Sequence, residues 1–203
     1  MAVTRSAGPR RLPASSAGGS ASFVRADFAS LAEVRASAEG VLREHDHIDA
    51  LVNNAGVSIP SGPRRESLDG FELHLAVNHP APFLLTHLPL PVLGTARPSL
   101  VVNVASAGQS SVDFEDLTAN CLHPGTHLDT TMVRAAGIAP AGTAEEGANA
   151  VHRLLSAERL AHSTGRYFDG VRETRMHPQA YDFDDRARLR GISEQLTALD
   201  QGD

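Results

Sequence analysis

The sequence predicts a single α/β domain in which short buried strands alternate with helices around a mostly parallel sheet. Apolar runs at 48–52, 98–104 and 120–122 have the length and composition of strands that are buried on both faces. Segments whose apolar residues recur at helical spacing lie before, between and after these runs. A chain of 203 residues is also long enough for one domain with a sizeable core.

Residues 1–20 are predicted to be a disordered leader, and residues 21–203 the domain. The chain has no acidic residue before Asp27, and prolines and glycines interrupt it without apolar periodicity. It lacks the apolar core of a secretory signal, although a transit peptide is an alternative for so arginine- and serine-rich a segment. None of its glycines stands between a strand and a helix, so we find no phosphate-binding glycine loop there.

The domain is predicted to open with a short strand at 23–25, which Asp27 closes. Ser30 can cap the helix that follows, because its hydroxyl can accept a hydrogen bond from the first turn. The apolar positions of that helix fall on one face: Leu31, Val34, Ala38, Val41 and Leu42. The histidine- and acid-rich cluster at 44–47 is interpreted as a solvated turn without further ligands, so no metal site is predicted.

The tetrapeptide Asn53-Asn54-Ala55-Gly56 follows directly on the strand at 48–52. Amides and a glycine are typical of a tight turn to which another group approaches closely. In open α/β sheets, ligands bind beyond the carboxyl ends of the strands, so this turn is a candidate ligand edge. An ordinary turn is the alternative interpretation.

The second half of the chain continues the alternation. A helix is predicted from about residue 70, with a break where Pro80 and Pro82 interrupt it. The continuation at 83–88 is apolar nearly all round and must be buried against the sheet or a partner. Three further elements are predicted: a helix at 145–157, a short strand at 167–168 and a charged helix at 184–199.

Composition excludes several classes of function. A net charge of -6 argues against nucleic-acid binding, which needs a concentrated positive field. No run of about 18 apolar residues is present, so we predict no membrane span. The single cysteine, Cys121, falls in a predicted buried strand, which favours a reducing, cytoplasmic location. All 18 basic residues are arginines, so a mechanism that requires lysine is excluded.

Five motifs occur in an order and spacing that resemble the short-chain dehydrogenase/reductase family. They are Val24-Arg25-Ala26-Asp27, Asn53-Asn54-Ala55-Gly56, Leu75-Ala76-Val77-Asn78-His79, Val102-Asn103-Val104-Ala105-Ser106 and His123-Pro124-Gly125. The C-terminal segment at 164–170 is most similar to the retinol-dehydrogenase-like branch. The resemblance covers roughly residues 20–200. It implies an incomplete Rossmann-like fold, with a doubly wound, mostly parallel sheet.

The resemblance also implies an activity and its residues. Members of the family bind NAD or NADP and transfer a hydride between the nicotinamide and a small-molecule carbonyl or alcohol. By resemblance, Ser106 holds the substrate oxygen, and Asn78 keeps the active-site helix and a proton-relay water in place. The implied cofactor contacts are Asp27 beside the adenine, Asn53, Ala55 and Gly56 in the supporting turn, and Pro124, Gly125 and Thr130 around the nicotinamide end.

Two departures from the family pattern weaken the expected activity. The glycine-rich loop that presents backbone N–H groups to the pyrophosphate is missing, so cofactor binding is expected to be weak. Between Ser106 and Pro124 there is neither the tyrosine nor the lysine of the family, and arginine cannot replace that lysine as a proton relay. We therefore expect an impaired oxidoreductase. A non-catalytic binding or interaction module and a gene fragment without stable product are the alternatives.

The departures also lead to expectations about the fold. The strands around Val52, Val102 and Cys121 are expected to be adjacent and parallel, whereas the strand at 23–25 either pairs with Val52's strand or detaches. A short coil is expected to connect the second and third of these strands. Phe83, Leu84 and Leu88 would then be uncovered, which predicts self-association. The particular substrate, the choice between NAD and NADP, and the oligomeric state are left open.

Overall fold

The computed structural model describes seven parts of the chain: residues 2–3, 22–59, 62–89, 92–93, 99–105, 117–160 and 163–199. Their strands form two sheets. The small sheet pairs β1 (Ala2–Val3) with β2 (Phe23–Val24). The large sheet has the order β3-β4-β5-β6-β7 and consists of β3 (Ala50–Asn53), β4 (Ser99–Val104), β5 (Leu117–His123), β6 (Tyr167–Asp169) and β7 (Arg172–Thr174).

Helices flank the large sheet, and side-chain caps start several of them. They are α1 (Leu31–Glu44), α2 (Leu73–Asn78), α3 (Pro80–His87), α4 (Thr131–Ala135), α5 (Ala144–Ser156) and α6 (Phe183–Thr197). Ser30 caps α1 as predicted, because its Oγ accepts from the N–H of Glu33. Thr143 and Glu146 form a reciprocal capping box at the start of α5.

The three central strands are adjacent and parallel, as predicted. Val52 is in register with Val102, which is in register with Asn120 on β5. Val101 and Val102 are both fully buried, Val102 beneath α5 and Val101 in a cluster with Leu93 and Ala119. The mostly parallel α/β architecture expected from the apolar runs is therefore confirmed. Residues 106–116, where a coil crossover was expected, lie outside the described residues.

The first strand of the predicted domain is detached from the large sheet. Phe23 and Val24 pair in parallel with Ala2 and Val3 in the small sheet. Ala2 and Val3, which fall inside the predicted leader, are therefore part of a strand, and the division of the chain at residue 20 stays a prediction. The remainder of that leader, up to residue 20, lies outside the described residues. β1 has only two residues and therefore no apolar alternation, which is why the sequence did not reveal this strand.

The predicted helix from residue 70 is divided in two, and its break falls where the prolines indicate. α2 ends before His79, whose backbone dihedrals of φ −131° and ψ −68° are not helical. Pro80 then occupies the first turn of α3, where a missing N–H leaves no helical hydrogen bond unmade. The predicted break at Pro80 is confirmed.

The apolar helix α3 is covered, contrary to the expectation that it would be exposed. α3 contacts both α1 and α6, and the side chain of Leu84 is 0% exposed. Phe83 and Leu88 are half-buried, and Leu88 packs against the core cluster of Leu84. The expectation that Phe83, Leu84 and Leu88 form an apolar patch was wrong, because α1 and α6 both pack against α3. The self-association inferred from that patch therefore has no support in the fold.

Besides β1, the short elements β7 and α4 were not predicted. β7 pairs antiparallel with β6, and Gly170 makes the tight turn between them with a φ of 58°. Strands of three residues and a helix of five are too short for a periodic signal. In the parts of the chain that are described, no helix is long and apolar enough to cross a membrane.

The half-buried histidines at the two ends of α3, His79 just before it and His87 as its last residue, predict that the fold loses stability in mild acid. Burial lowers the pKa of both His79 and His87 below the usual 6.5, so the fold favours their neutral forms. The unfolded chain then binds more protons, so stability is complete above about pH 6.5 and decreases as the pH falls below it. Urea unfolding at pH 7.5 and pH 5.5 measures the difference.

A matched variant isolates His79. Its Nε2 lies 2.8 Å from Oγ of Ser193 on α6, a contact that a glutamine amide can also make without titrating. His79→Gln is expected to lose part of the pH dependence, whereas the exposed His152→Gln is expected to keep all of it. Equal pH dependence in both variants and the parent would contradict the assignment.

Candidate functional site

A buried side-chain amide locks the carboxyl end of β3 to its neighbours. The Nδ2 of Asn53 donates to Oδ1 of Asn103 on β4 at 2.8 Å and to Oγ1 of Thr86 on α3 at 2.9 Å. Asn53 is 8% exposed, so both hydrogen bonds are largely protected from water. Its Oδ1 is buried and has no hydrogen-bond partner among the described residues. A buried acceptor of this kind normally has a hydrogen-bond donor, so Oδ1 of Asn53 is an unsatisfied acceptor of the site.

The turn that follows Asn53 is held by Asn78 at the end of α2. The N–H of Val57 donates to Oδ1 of Asn78 at 2.8 Å, and Nδ2 of Asn78 donates to the carbonyl of Val57 at 2.9 Å. A Cβ on Gly56 would lie 3.3 Å from the same Oδ1. The close approach therefore favours glycine in the tetrapeptide, and Asn78 holds the backbone of the turn at two points.

Glu72 and His74 extend this clamp to the next residues of the loop. The N–H of Ile59 donates to Nε2 of His74 at 2.8 Å, so Nδ1 carries the ring proton and donates to Oε1 of Glu72 at 2.7 Å. The hydrogen bonds from His74 and from the N–H of Leu75 lower the pKa of Glu72 to about 2. The carboxylate is therefore charged at neutral pH and fixes the orientation of the ring.

The carboxyl end of β5 supplies the other predicted contacts. Pro124 and Gly125 form the turn after the strand, and Gly125 has a φ of 145°, where a Cβ would approach Leu128 to 2.9 Å. Thr130 caps α4 by accepting from the N–H of Val133. The ring of His123 links the ends of two strands, since its Nδ1 lies 3.4 Å from the carbonyl oxygen of Ala105, the residue that follows β4.

A groove of about 810 Å³ runs along β3 and the turn after it. Asn53, Ala55 and Gly56 line it, so three of the predicted cofactor residues share one surface. None of the described lining residues is an aspartate, a glutamate or an arginine. Its other walls are mainly apolar and include Phe28, Ala38, Val41, Val77, Pro82, Leu85, Pro89 and Leu155.

The predicted residues thus fall into groups. Asn53, Ala55, Gly56 and Asn78 meet at the end of β3, and Pro124, Gly125 and Thr130 lie beyond β5. Asp27 lies before α1, where its Oδ1 accepts from the N–H of Ala29 at 3.0 Å. The candidate catalytic residue Ser106 lies outside the described residues.

Sequence reasoning missed the partners that hold these residues. Asn103 stands inside a quoted motif and in register with Asn53, so pairing the two strands would have found it. Thr86, Glu72 and His74 are polar residues in helical segments, and only the packing of the helices brings them to β3 or its loop. Among the described residues, no group of three or more histidine, cysteine, aspartate or glutamate side chains could hold a metal ion.

The start of α1 and the described lining of the groove offer little to the pyrophosphate of a dinucleotide. An anion of this kind needs free N–H groups at a helix N-terminus or a positive side chain. At α1, the N–H of Leu31 already donates to Oδ2 of Asp69 at 2.9 Å, and the N–H of Glu33 donates to Ser30. The described lining of the groove offers no arginine either.

The double hydrogen bond of Asn78 gives a direct test of how the turn is held. Asn78→Ala removes both contacts with Val57, and exposed hydrogen bonds contribute on the order of 1 kcal/mol each. We therefore expect exchange of the Val57 amide with solvent to accelerate by roughly tenfold, measured by hydrogen-exchange NMR.

Asn78→Asp is the matched control, because its carboxylate still accepts from the N–H of Val57 while the donor to the carbonyl is lost. It is expected to retain most of the protection of Val57. Unchanged exchange in Asn78→Ala would show that the turn is held by other contacts.

Comparisons with known proteins agree with the motifs. The model of the family described as short chain dehydrogenase matches residues 3–115, a match that begins inside the predicted leader. Human retinol dehydrogenase 13 is 30% identical over 227 residues, which cover 86% of this chain and 68% of the relative. Human retinol dehydrogenase 12 is 30% identical over 219 residues, with 85% and 68% covered.

Solved structures agree with the fold. A protein from Mycobacterium Paratuberculosis has a TM-score of 0.62 at 24% identity, covering 87% of this chain and 75% of its own. A 7α-hydroxysteroid dehydrogenase in complex with NADH has a TM-score of 0.59 at 18% identity, with 79% and 77% covered. At these identities the structures show the fold alone. With the family match over more than half of the 203 residues and the two retinol dehydrogenase relatives, the chain belongs to the short-chain dehydrogenase/reductase family, in its retinol-dehydrogenase-like branch.

Proposed function

We propose that this chain is an NAD(P)-type oxidoreductase of carbonyl and alcohol groups whose turnover is severely impaired. The observation that carries the proposal is the contrast at the end of β3. The side chain of Asn53 bonds to β4 and α3 there, and that of Asn78 bonds twice to the turn. Only Oδ1 of Asn53 has no described hydrogen-bond partner between these two side chains. The chain nevertheless has no lysine, and no tyrosine between Ser106 and Pro124.

The missing proton donor is the larger deficit. Reduction of a carbonyl needs an acid at the developing alkoxide, and positioned acid–base catalysis accelerates such steps about 10²- to 10⁴-fold. Tyr167 is buried on β6, and burial raises its pKa, which is opposite to what this acid requires. The hydroxyl of Tyr181 accepts from the N–H of Met176 at 3.0 Å, in the segment before α6. Neither tyrosine takes the place of the missing one.

Weak binding of NAD or NADP is the second part of the proposal. The N–H of Leu31 is engaged by Asp69, and the described lining of the groove has two histidines but no arginine, so a phosphate group would gain few favourable contacts there. The names of the curated relatives suggest retinol or retinal as the substrate class. A cytoplasmic location stays a prediction.

A non-catalytic binding module is the second candidate, and the groove favours it. The surface along β3 is mainly apolar, with His45 and His47 and no aspartate, glutamate or arginine among its described residues, which suits a peptide better than a dinucleotide. The two candidates differ in whether nicotinamide nucleotide binds.

Titration and turnover assays separate the candidates. We expect no saturable change in NADH or NADPH fluorescence at micromolar protein, and no reduction of retinaldehyde or a simple aldehyde above background. Ser106→Ala is expected to leave this background unchanged. Measurable turnover that disappears in Ser106→Ala would contradict the impairment. If the same turnover also disappears in a separate Tyr181→Phe variant, Tyr181 would be identified as the replacement acid.

A further inference from the structure

The loop after β3 is attached to α2 through a histidine that must be in one protonation state. The N–H of Ile59 donates to Nε2 of His74 at 2.8 Å, so this nitrogen has to present its lone pair. The proton of the neutral ring then lies on Nδ1, which donates to Oε1 of Glu72 at 2.7 Å. Only the neutral ring with its proton on Nδ1 makes both contacts.

Protonation of this ring is incompatible with the contact to Ile59. Both nitrogens of a protonated imidazole are donors, so Nε2–H of His74 would face the N–H of Ile59 instead of accepting from it. The contact with Glu72 survives, because its carboxylate accepts from Nδ1 in either state. A detached loop therefore allows the ring to bind a proton that the attached loop excludes, and a falling pH favours detachment.

Glu72 supplies the negative charge that a protonated ring needs. The pKa of Glu72 is about 2, so its carboxylate is charged at every pH at which a histidine usually titrates. Three further charged side chains lie on the segment that pairs with Glu72, namely Arg64, Arg65 and Glu66, and all three are exposed, so water screens them. The main opposition is thus between one carboxylate, which favours the protonated ring, and one backbone N–H, which favours the neutral ring.

The two ends of this loop segment are held by different chemistry. Val57 is bonded twice to the side-chain amide of Asn78, which does not titrate. Ile59 is bonded to His74, and its half-buried side chain packs against the core cluster of Leu84. Loss of the histidine contact therefore loosens Ile59 and leaves Val57 in place.

We propose that His74 is a pH-sensitive latch on the loop after β3, which holds Ile59 when the ring is neutral and releases it when the ring is protonated. The segment it controls follows directly on the turn of Asn53 and Gly56, so acid loosens the far side of that turn while Asn78 holds the near side. The latch is independent of the proposed oxidoreductase function, because its operation needs neither cofactor nor turnover.

Hydrogen-exchange NMR on the whole chain between pH 8 and pH 5 tests the latch. The protection factor of the Ile59 amide, which corrects for the intrinsic pH dependence of exchange, is expected to fall about fivefold, the equivalent of one ordinary hydrogen bond. That of Val57 is expected to change less than twofold. Loop amides exchange by local opening, so a change in global stability does not enter. Constant protection of Ile59, or an equal loss at Val57, would overturn the proposal.

A non-titrating acceptor is the matched variant. In His74→Gln the amide oxygen can accept from Ile59 at any pH, so the protection of Ile59 is expected to become independent of pH, whereas the exposed His152→Gln is expected to keep the parent's fivefold fall. His79 and His87 remain in both variants. A fivefold fall that survives in His74→Gln would therefore assign the pH dependence to another group and overturn the proposal.

The ring itself gives a second readout. Nitrogen-15 NMR of the imidazole at pH 8 is expected to show His74 with its proton on Nδ1 and a bare Nε2, and protonation of Nε2 is expected to follow the same pH curve as the loss of protection at Ile59. A ring that carries its proton on Nε2 at pH 8, or that titrates without any change at Ile59, would overturn the latch.

Discussion

The buried amide of Asn53 is the junction on which the centre of the molecule depends. One nitrogen joins three elements, because its two hydrogens reach Asn103 on β4 and Thr86 on α3. Thr86 in turn donates to the carbonyl of Pro82, so the junction continues into the first turns of α3. If Asn53 were apolar, two acceptors in a protected setting would lose their donor, which typically costs about 1–3 kcal/mol for each buried group.

The junction explains why the helix after α2 has to break. α3 must lie against β3 for Thr86 to reach Asn53, whereas Asn78 at the end of α2 must turn toward Val57. Pro80 at the start of α3 permits the change of direction, since α2 ends before it. The clamp on the turn and the lock on the strand are thus two outcomes of one proline-marked break.

The sequence predicted what depends on local pattern and missed what depends on packing. The strands around Val52 and Val102 and the break at Pro80 carry strong signals of periodicity and backbone restriction, and the structure has all of them. The burial of Leu84 carries no such signal. α6 reaches the start of α3 through Ser193, which is 1% exposed and whose Oγ lies 2.8 Å from Nε2 of His79, and hydrophobic periodicity cannot identify a contact made by a small polar residue.

The candidate site shows the same division. Asn53, Gly56 and Asn78 could be grouped from motifs, whereas the pairing of His74 with Glu72 and Ile59 depends on how the loop folds back. These contacts stabilise the end of β3 whether or not any chemistry occurs there. Membership of the family and its fold therefore do not by themselves carry its activity, which depends on the acid and the phosphate anchor.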